Sequence, residues 1–445
     1  MDKTEKLILE TIERNRDAIL DFARDIYSHA ELGYKEFRTA EKFSEKMEGL
    51  GLRTQTGLAI TGVKAYLNEE KRDTASLALL GELDALRIPA HAFANSETEA
   101  AHCCGHHAQL AGVYGAALAL ACPEIAKELD GQVVFFATPA EEYGEIEFKD
   151  QLRREGKIRY GGGKCELIRI GAFDDIGLCL AHHTAPGDEI LIGNGSGNGF
   201  VSKVITFQGK ASHAAGAPEK GVNALSAASL GLQALALNRE TFRDEDCVRV
   251  HPIITKGGNL VNVIPDEVVI ETLVRGKTIE AFADASEKTD RSFAAGALAM
   301  GASVRIKTMP GYLPTLPMAP LEELRDAAAL AAPGTAVKVY NEHTGGSTDV
   351  GDVQHLMPVF TFRTGGVSGN LHQVDFAVTD EDAAYITTAK IFALAAYRLL
   401  RDQAKRAREL TVEYQPVFDS KDAYVRFMDR FDSEILEKPE VLNRI

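Results

Sequence analysis

The chain has 445 residues, 45% of them hydrophobic, with 49 Lys plus Arg against 65 Asp plus Glu. That length and apolar content suit about two or three packed domains, and a formal charge of −16 argues against nucleic acid or an anionic membrane as partner, since both call for a basic face. No apolar run reads as long enough to cross a bilayer, residues 1–16 form a charged helical pattern unlike a signal peptide, and six cysteines without framework spacing point to a reducing compartment. The expectation is a soluble cytoplasmic protein.

Residues 4–28 repeat apolar side chains at helical spacing (Leu7, Ile8, Ile12, Ile19, Leu20, Ile26), which predicts one amphipathic helix. A second helix is expected over 37–49, closed by Gly49 and Gly51. Residues 63–67 and 76–80 read as short strands, the second running into Gly81-Glu82-Leu83-Asp84-Ala85. Residues 132–138 form a buried-type strand followed by Pro139-Ala140-Glu141-Glu142, and 176–180 form another followed by Ala181-His182-His183. Strands alternating with helices imply an α/β sheet of largely parallel strands.

The stretch Ala101-His102-Cys103-Cys104-Gly105-His106-His107-Ala108-Gln109 concentrates histidine and cysteine. Neutral imidazole and thiolate are common ligands of zinc-like ions. Cys104 and His106 can reach one ion only if Gly105 bends the backbone tightly. The alternative is a partly buried thiol pair beside surface imidazoles. Residues 110–121 read as a small-residue helix, so the cluster opens a helix. In open α/β sheets ligands gather at the carboxyl ends of strands. Glu82/Asp84, Glu141/Glu142 and His182/His183 are therefore candidates to converge with it. A Glu-Glu pair alone is ordinarily a solvated helix start; four such features at strand ends are harder to dismiss.

From Gly199 the pattern changes to a strand (200–208), helix (219–237), two strands (247–255, 266–275), helix (279–300) and strand (302–307). That β-α-β-β-α-β order is the ferredoxin-like split unit. It predicts a second domain, 196–309, inserted into a first domain made of 1–195 and 310–445. The Gly/Asn/Ser-rich stretch 193–199 and Pro310-Gly311, with Pro314 and Pro317, mark the boundaries. The first domain then resumes with a helix from Leu321, a strand near Val337, Gly345-Gly346-Ser347-Thr348-Asp349, a strand 359–362, Asn370-Leu371-His372-Gln373 and a closing helix 381–401. The acidic, aromatic tail from Thr411 has no assigned role.

In this order the motifs resemble the aminoacylase/carboxypeptidase family of co-catalytic metallopeptidases (clan MH), closest to its amidohydrolase branch of hippurate, indole-acetyl-amino-acid and aminobenzoyl-glutamate hydrolases and a β-alanyl-lysine type dipeptidase. The resemblance covers about residues 27–400. It rests on His29-Ala30-Glu31-Leu32-Gly33 with Glu36, Cys103-Cys104-Gly105-His106, Pro139-Ala140-Glu141-Glu142, residues 257–265 (Gly-Gly-Asn-Leu-Val-Asn-Val-Ile-Pro) and Gly346-Ser347-Thr348-Asp349.

The resemblance implies a zinc-peptidase-like α/β catalytic domain with a ferredoxin-like lid that also makes a homodimer. It implies two divalent ions per subunit, Zn or Mn, held by Cys104, His106, Glu142, a histidine after the 176–180 strand, and His372. We place that histidine at His182, which closes the strand, with His183 as the alternative. Glu141 would be the general base, Asp84 would orient His106 or a neighbouring ligand, and His213 would complete the oxyanion site, usually from the partner subunit. Asn262 and Arg275 would contact substrate, Arg275 as a carboxylate clamp, with Ser347 and Asp349 in the same pocket. Glu82 stands where other branches carry a ligand histidine. Two features depart from the pattern: His107 and Gln109 replace the usual Asp and His, and residues 143–163 are longer than the usual Gly-rich loop.

The function expected is metal-dependent hydrolysis of N-acyl amino acids or dipeptide-like amides, acting on small molecules and not on nucleic acid or membranes. The alternatives are a metallo-dipeptidase or carboxypeptidase, and a non-catalytic ligand-binding homologue.

Overall fold

A computed structural model describes residues 1–438. Its larger sheet has eight strands in the order Arg53–Leu58, Gly62–Leu67, Gln132–Thr138, Ser76–Glu82, Leu178–Thr184, Val359–Thr364, Ile190–Ile192, Val337–Val339. The middle of the sheet, from Gln132–Thr138 to Val359–Thr364, is parallel, and antiparallel pairs flank it. Gln132–Thr138 and Ser76–Glu82 are buried along their whole length, because both faces of the sheet are covered. On one face lie the helices Arg16–Ser28, His106–Leu120 and Thr387–Glu413. His106–Leu120 is apolar nearly all round, as suits a helix enclosed on every side.

Where elements end differs from expectation in ways that matter. The predicted 4–28 helix is two, Lys3–Arg14 and Arg16–Ser28. Asn15 breaks it by donating from Nδ2 to the Thr11 carbonyl at 2.8 Å, a local bond that competes with the helical ladder. The strand predicted over 176–180 instead spans Leu178–Thr184. The segment Asp382–Glu413 does have the length and apolar character of a membrane span, but 78% of its apolar window is buried inside the protein. It is the core helix that covers the sheet.

The second sheet is antiparallel, in the order Arg249–Val250, Glu267–Gly276, Gly199–Gln208, Ser303–Tyr312, Ser433–Glu437, with Ile253–Lys256 also pairing Glu267–Gly276. The helices Ala224–Leu237 and Ile279–Met300 pack together against this sheet. The first of them starts at its Asn223 cap, which accepts from Leu225 and Ser226 N–H groups, five residues later than predicted. The strand from Ser303 runs on to Tyr312, which carries Tyr312 down into the cleft between the two units.

Two further segments bridge these units. The long segment after Glu142 forms the helices Ile146–Arg154 and Gly163–Arg169. The tail docks on it: Tyr160 donates to Asp429 at 2.9 Å, and Arg153 pairs with Asp432 at 2.6 Å. Its last strand, Ser433–Glu437, then extends the smaller sheet beyond Ser303–Tyr312.

Candidate active site

The site is built at the carboxyl ends of the parallel strands. Gly105 has φ +83, and a Cβ there would lie 2.0 Å from Thr184 Oγ1. Only glycine tolerates both the left-handed backbone and that approach. The bend turns Cys104 and His106 toward the same cleft. Donor atoms of Cys104, His106 and His183 lie within 4.8 Å of one another, as do those of Cys104, Glu142 and His372, and those of Glu82, His106 and Glu141. Cys104 Sγ is 3.4 Å from His183 Nε2 and 3.2 Å from His372 Nε2, and His372 Nε2 is 3.1 Å from a Glu142 oxygen.

The preference for His182 is corrected in favour of His183. Because the strand continues to Thr184, both histidines lie inside it, and alternation sends them to opposite faces. His183 faces Cys104. His182 faces the helices, with Nε2 2.8 Å from Thr364 Oγ1 and its ring against Phe362 and Phe392.

The donors are held from behind. His106 Nδ1 donates to the Asp84 carbonyl at 2.8 Å and His183 Nδ1 donates to the Thr184 carbonyl at 2.7 Å. Each bond leaves Nε2 with a free lone pair directed at the cluster. An Asp84 carboxylate oxygen lies 3.4 Å from His106 Nδ1, and its other oxygen accepts from Glu142 N at 2.8 Å. Asp84 thus fixes two donors at once. Glu36 accepts from Ala140 N at 2.8 Å and Thr61 Oγ1 at 2.6 Å. This pins Ala140, which has φ +48, just before Glu141. Lys149, from the long segment, donates to the Glu142 carbonyl at 2.7 Å, and Tyr312 donates to the Glu141 carbonyl.

The electrostatics suit a cation. Burial, then Glu142, pushes the Cys104 thiol well above its ordinary value. Burial also pushes His106 down, but Glu82, Cys104 and Asp84 outweigh it and raise it well above an ordinary imidazole. Burial raises Glu142, yet His372 and then His106 hold it at about 2. Glu141 is pushed well above the usual carboxylate range by burial and by Glu82, Glu142 and Asp349. Among the described residues His106 Nε2 and Glu142 Oε1 are buried without a well-directed hydrogen bond, although a Glu82 oxygen lies 3.1 Å from the first and His372 Nε2 3.1 Å from the second. A thiol, three imidazoles and a carboxylate converging with orphaned donors form a set that fits divalent ions of the zinc class.

A model of Peptidase family M20/M25/M40 matches residues 78–398. The chain belongs to this peptidase family. It is 27% identical over 406 residues to mouse Xaa-Arg dipeptidase, covering 87% of this chain and 86% of that protein. It is 30% identical over 272 residues to the IAA-amino acid hydrolase ILR1-like 2 of Arabidopsis thaliana, covering 60% of this chain and 56% of that protein. The fold is similar to the Bacillus subtilis YXEP protein, described as a dinuclear metal binding peptidase, with a TM-score of 0.60 and 23% identity over 87% of this chain and 99% of that one. The protein is a hydrolase of the M20 family.

The cleft of this M20 hydrolase is about 590 Å³ and is lined by Arg275, Ser347, Tyr312, Tyr143 and Arg363 besides the cluster. Arg275 stacks over Phe200, its partner across the ladder, at 5.6 Å. Ser347 Oγ is buried without a hydrogen-bond partner among the described residues. His213 and Asn262 are elsewhere. Both are exposed on loops of the smaller unit, where His213 Nδ1 accepts from Gly216 N at 2.9 Å and the Asn262 carbonyl accepts from Ala214 N. Within one chain neither reaches the cluster.

Asp349 is corrected as well. It does not line the cleft; it accepts from Lys164 Nζ at 2.6 Å and from Lys164 N at 2.8 Å, fully buried. Lys164 also donates to Glu82 at 2.6 Å, and Gln109 Nε2 donates to the other Glu82 oxygen at 2.7 Å. Burial opposes the Lys164 charge, but Asp349, Glu82 and Glu141 hold it. Glu82 in turn stays at about 2, burial being outweighed by Lys164 and His106. Nothing in the sequence pattern singles out Lys164 itself. The nearest signal was the run Gly161-Gly162-Gly163 before it: a Cβ on Gly163 would meet the Pro139 carbonyl at 1.6 Å, so the run marks a backbone pressed against the loop that carries Glu141.

Glu36 supplies a pH prediction. Burial and Asp84 push it up to about 7 from 4.5, so the folded state binds a proton that the unfolded chain has lost. Its contribution is full below about 4.5 and disappears as pH rises through about 7. Glu36→Gln is expected to gain on the native chain between pH 5 and pH 8 by on the order of 3 kcal/mol. Urea unfolding at the two pH values checks this; parallel pH curves for the two proteins would contradict it.

Proposed function

We propose that the protein is a metal-dependent amidohydrolase that cleaves N-acyl amino acids or dipeptide-like amides, holding two divalent ions, Zn or Mn, with Cys104, His106, Glu142, His183 and His372. The observation that carries this reading is the Cys104 sulfur set between His183 and His372, which gives the cluster two halves with a shared thiol. Bound there, the ions lower the pKa of water toward neutral and polarise the substrate carbonyl.

Glu141 does the proton work. Its carboxylate is buried at the cluster, 4.0 Å from His106 Nε2. It takes the proton of the attacking water and hands it to the leaving amine nitrogen. Arg275 holds the substrate carboxylate with its planar fork. His213 and Asn262 lie together on one exposed face of the smaller unit, so in this reading they come from a second copy, and the working form is a homodimer. We place the protein in the cytoplasm on its acidic charge and its cysteine pattern.

Metal analysis paired with an amide panel tests the proposal. Two ions per chain and hydrolysis that stops on chelation and returns with Zn or Mn are expected. The mouse relative is named a dipeptidase and the plant relative an amino acid conjugate hydrolase, so the panel sets free dipeptides against N-acyl amino acids. His183→Ala should lose at least one ion, while His182→Ala should keep both. The reverse pattern, or a metal-loaded protein that cleaves no amide, would overturn the assignment.

A further inference from the structure

The cleft contains two guanidiniums, Arg275 and Arg363. Among the described residues neither side chain has an ion pair or hydrogen bond, although the cleft's lysine, Lys164, is paired twice. Arg275 feels the charges of Glu142 and Glu141. Arg363 lies beside His183: it is the ladder partner of His183, as Phe362 is of His182. Partners in a parallel ladder project to the same face, so Arg363 enters the cleft beside His183, just as Phe362 turns away with His182. Its guanidinium lies 4.1 Å over the ring of Tyr340, another lining residue.

Stacking on an aromatic face fixes the plane of the guanidinium and leaves its N–H edge free. A half-buried cation without an acceptor is costly unless something supplies one. The cleft acids do not. Among the described residues none of the three pairs with either guanidinium: Glu82 is committed to Lys164 and Gln109, Glu142 to His372, and Glu141 lies 4.0 Å from His106. Ser347 Oγ, buried in the same cleft without a hydrogen-bond partner among the described residues, offers one more donor to a ligand.

We propose that Arg363, held flat on Tyr340, binds a second carboxylate of the substrate, so that the preferred substrates are amides with two anionic groups. This rests on the amidohydrolase reading. The first carboxylate takes Arg275. The second belongs either to the acyl group or to the side chain of the released amino acid, and both make the same fork-to-carboxylate pair.

The test uses the full-length, metal-loaded enzyme and two matched pairs. N-acetyl-glutamate is set against N-acetyl-glutamine, and N-succinyl-alanine against its terminal amide. In one pair the acid should exceed the amide in kcat/KM by about 10- to 100-fold, the worth of charge-assisted hydrogen bonds; which pair does so locates the second carboxylate. Arg363→Gln should collapse that ratio toward 1 through the KM of the acid, and Arg363→Lys should restore part of it. No acid preference in either pair, or a ratio that Arg363→Gln leaves unchanged because acid and amide fall together, would overturn the proposal and leave Arg363 a packing residue. Calorimetric binding of the same acids and amides gives a readout independent of turnover. If no amide is cleaved, tighter binding of an acid than of its amide, lost in Arg363→Gln, still supports the subsite while the hydrolase mechanism fails. Equal binding sinks the subsite.

Discussion

Glu141→Gln is expected to lower kcat by about 10²- to 10⁴-fold, the usual worth of a general base, with KM and metal content nearly unchanged. Glutamine keeps the shape of the side chain and its carbonyl oxygen but cannot accept a proton. The backbone that carries it is fixed by groups the substitution does not touch: Tyr312 on the Glu141 carbonyl and Glu36 on Ala140 N. Metal binding should survive because Cys104, His106, Glu142, His183 and His372 all remain. Steady-state kinetics with metal analysis on the same preparation measures both halves. Retained activity within tenfold, or loss of the ions, would mean that Glu141 is a ligand or a bystander.

Lys164→Met should have the largest effect on stability. Lys164 lies at the centre of a fully buried network with Glu82 and Asp349, with 2.6 Å contacts to both. Methionine fills the space but leaves two buried carboxylates facing each other without their cation. Breaking a buried pair from one side costs about 3–5 kcal/mol. Chemical denaturation of the metal-free protein is the measurement. The triple variant Lys164→Met, Glu82→Gln, Asp349→Asn should recover much of the loss, since neutral partners no longer need the cation. A loss below about 1 kcal/mol for Lys164→Met would show that water reaches the network and screens it.

Strand ends explain why some of the site could be read in advance. Gln132–Thr138 is a run of apolar residues closed by proline, and the structure gives the same bounds, so the neighbourhood of Glu141 and Glu142 was readable. Gly105 was readable too, because Cys104 and His106 can turn to one side only around a residue without a side chain. The histidine pair was not. Leu178–Thr184 is extended by hydrogen bonds to Val359–Thr364, as far as Thr184 opposite Thr364, and no local composition announces a partner so far along the chain. The bonds among Lys164, Glu82 and Asp349 likewise join residues 82 and 185 positions apart. The tail behaves the same way: acidic and aromatic, it carries no assigned role in the sequence, and Ser433–Glu437 becomes a strand only where the edge of Ser303–Tyr312 supplies its ladder.

The amino-acid order by itself determined which chemical groups stand at the carboxyl ends of the apolar strands and that a cation-binding, hydrolytic chemistry suits them. Apolar runs, glycine and proline act locally, so they can be read locally. Only the tertiary structure decided which face each histidine occupies, that Asp349 is locked onto a buried lysine rather than open to substrate, and that Arg363 stands beside His183 with no ion pair among the described residues. Those outcomes depend on strand register and on contacts between distant segments, whose free energy exists only once the chain has closed on itself.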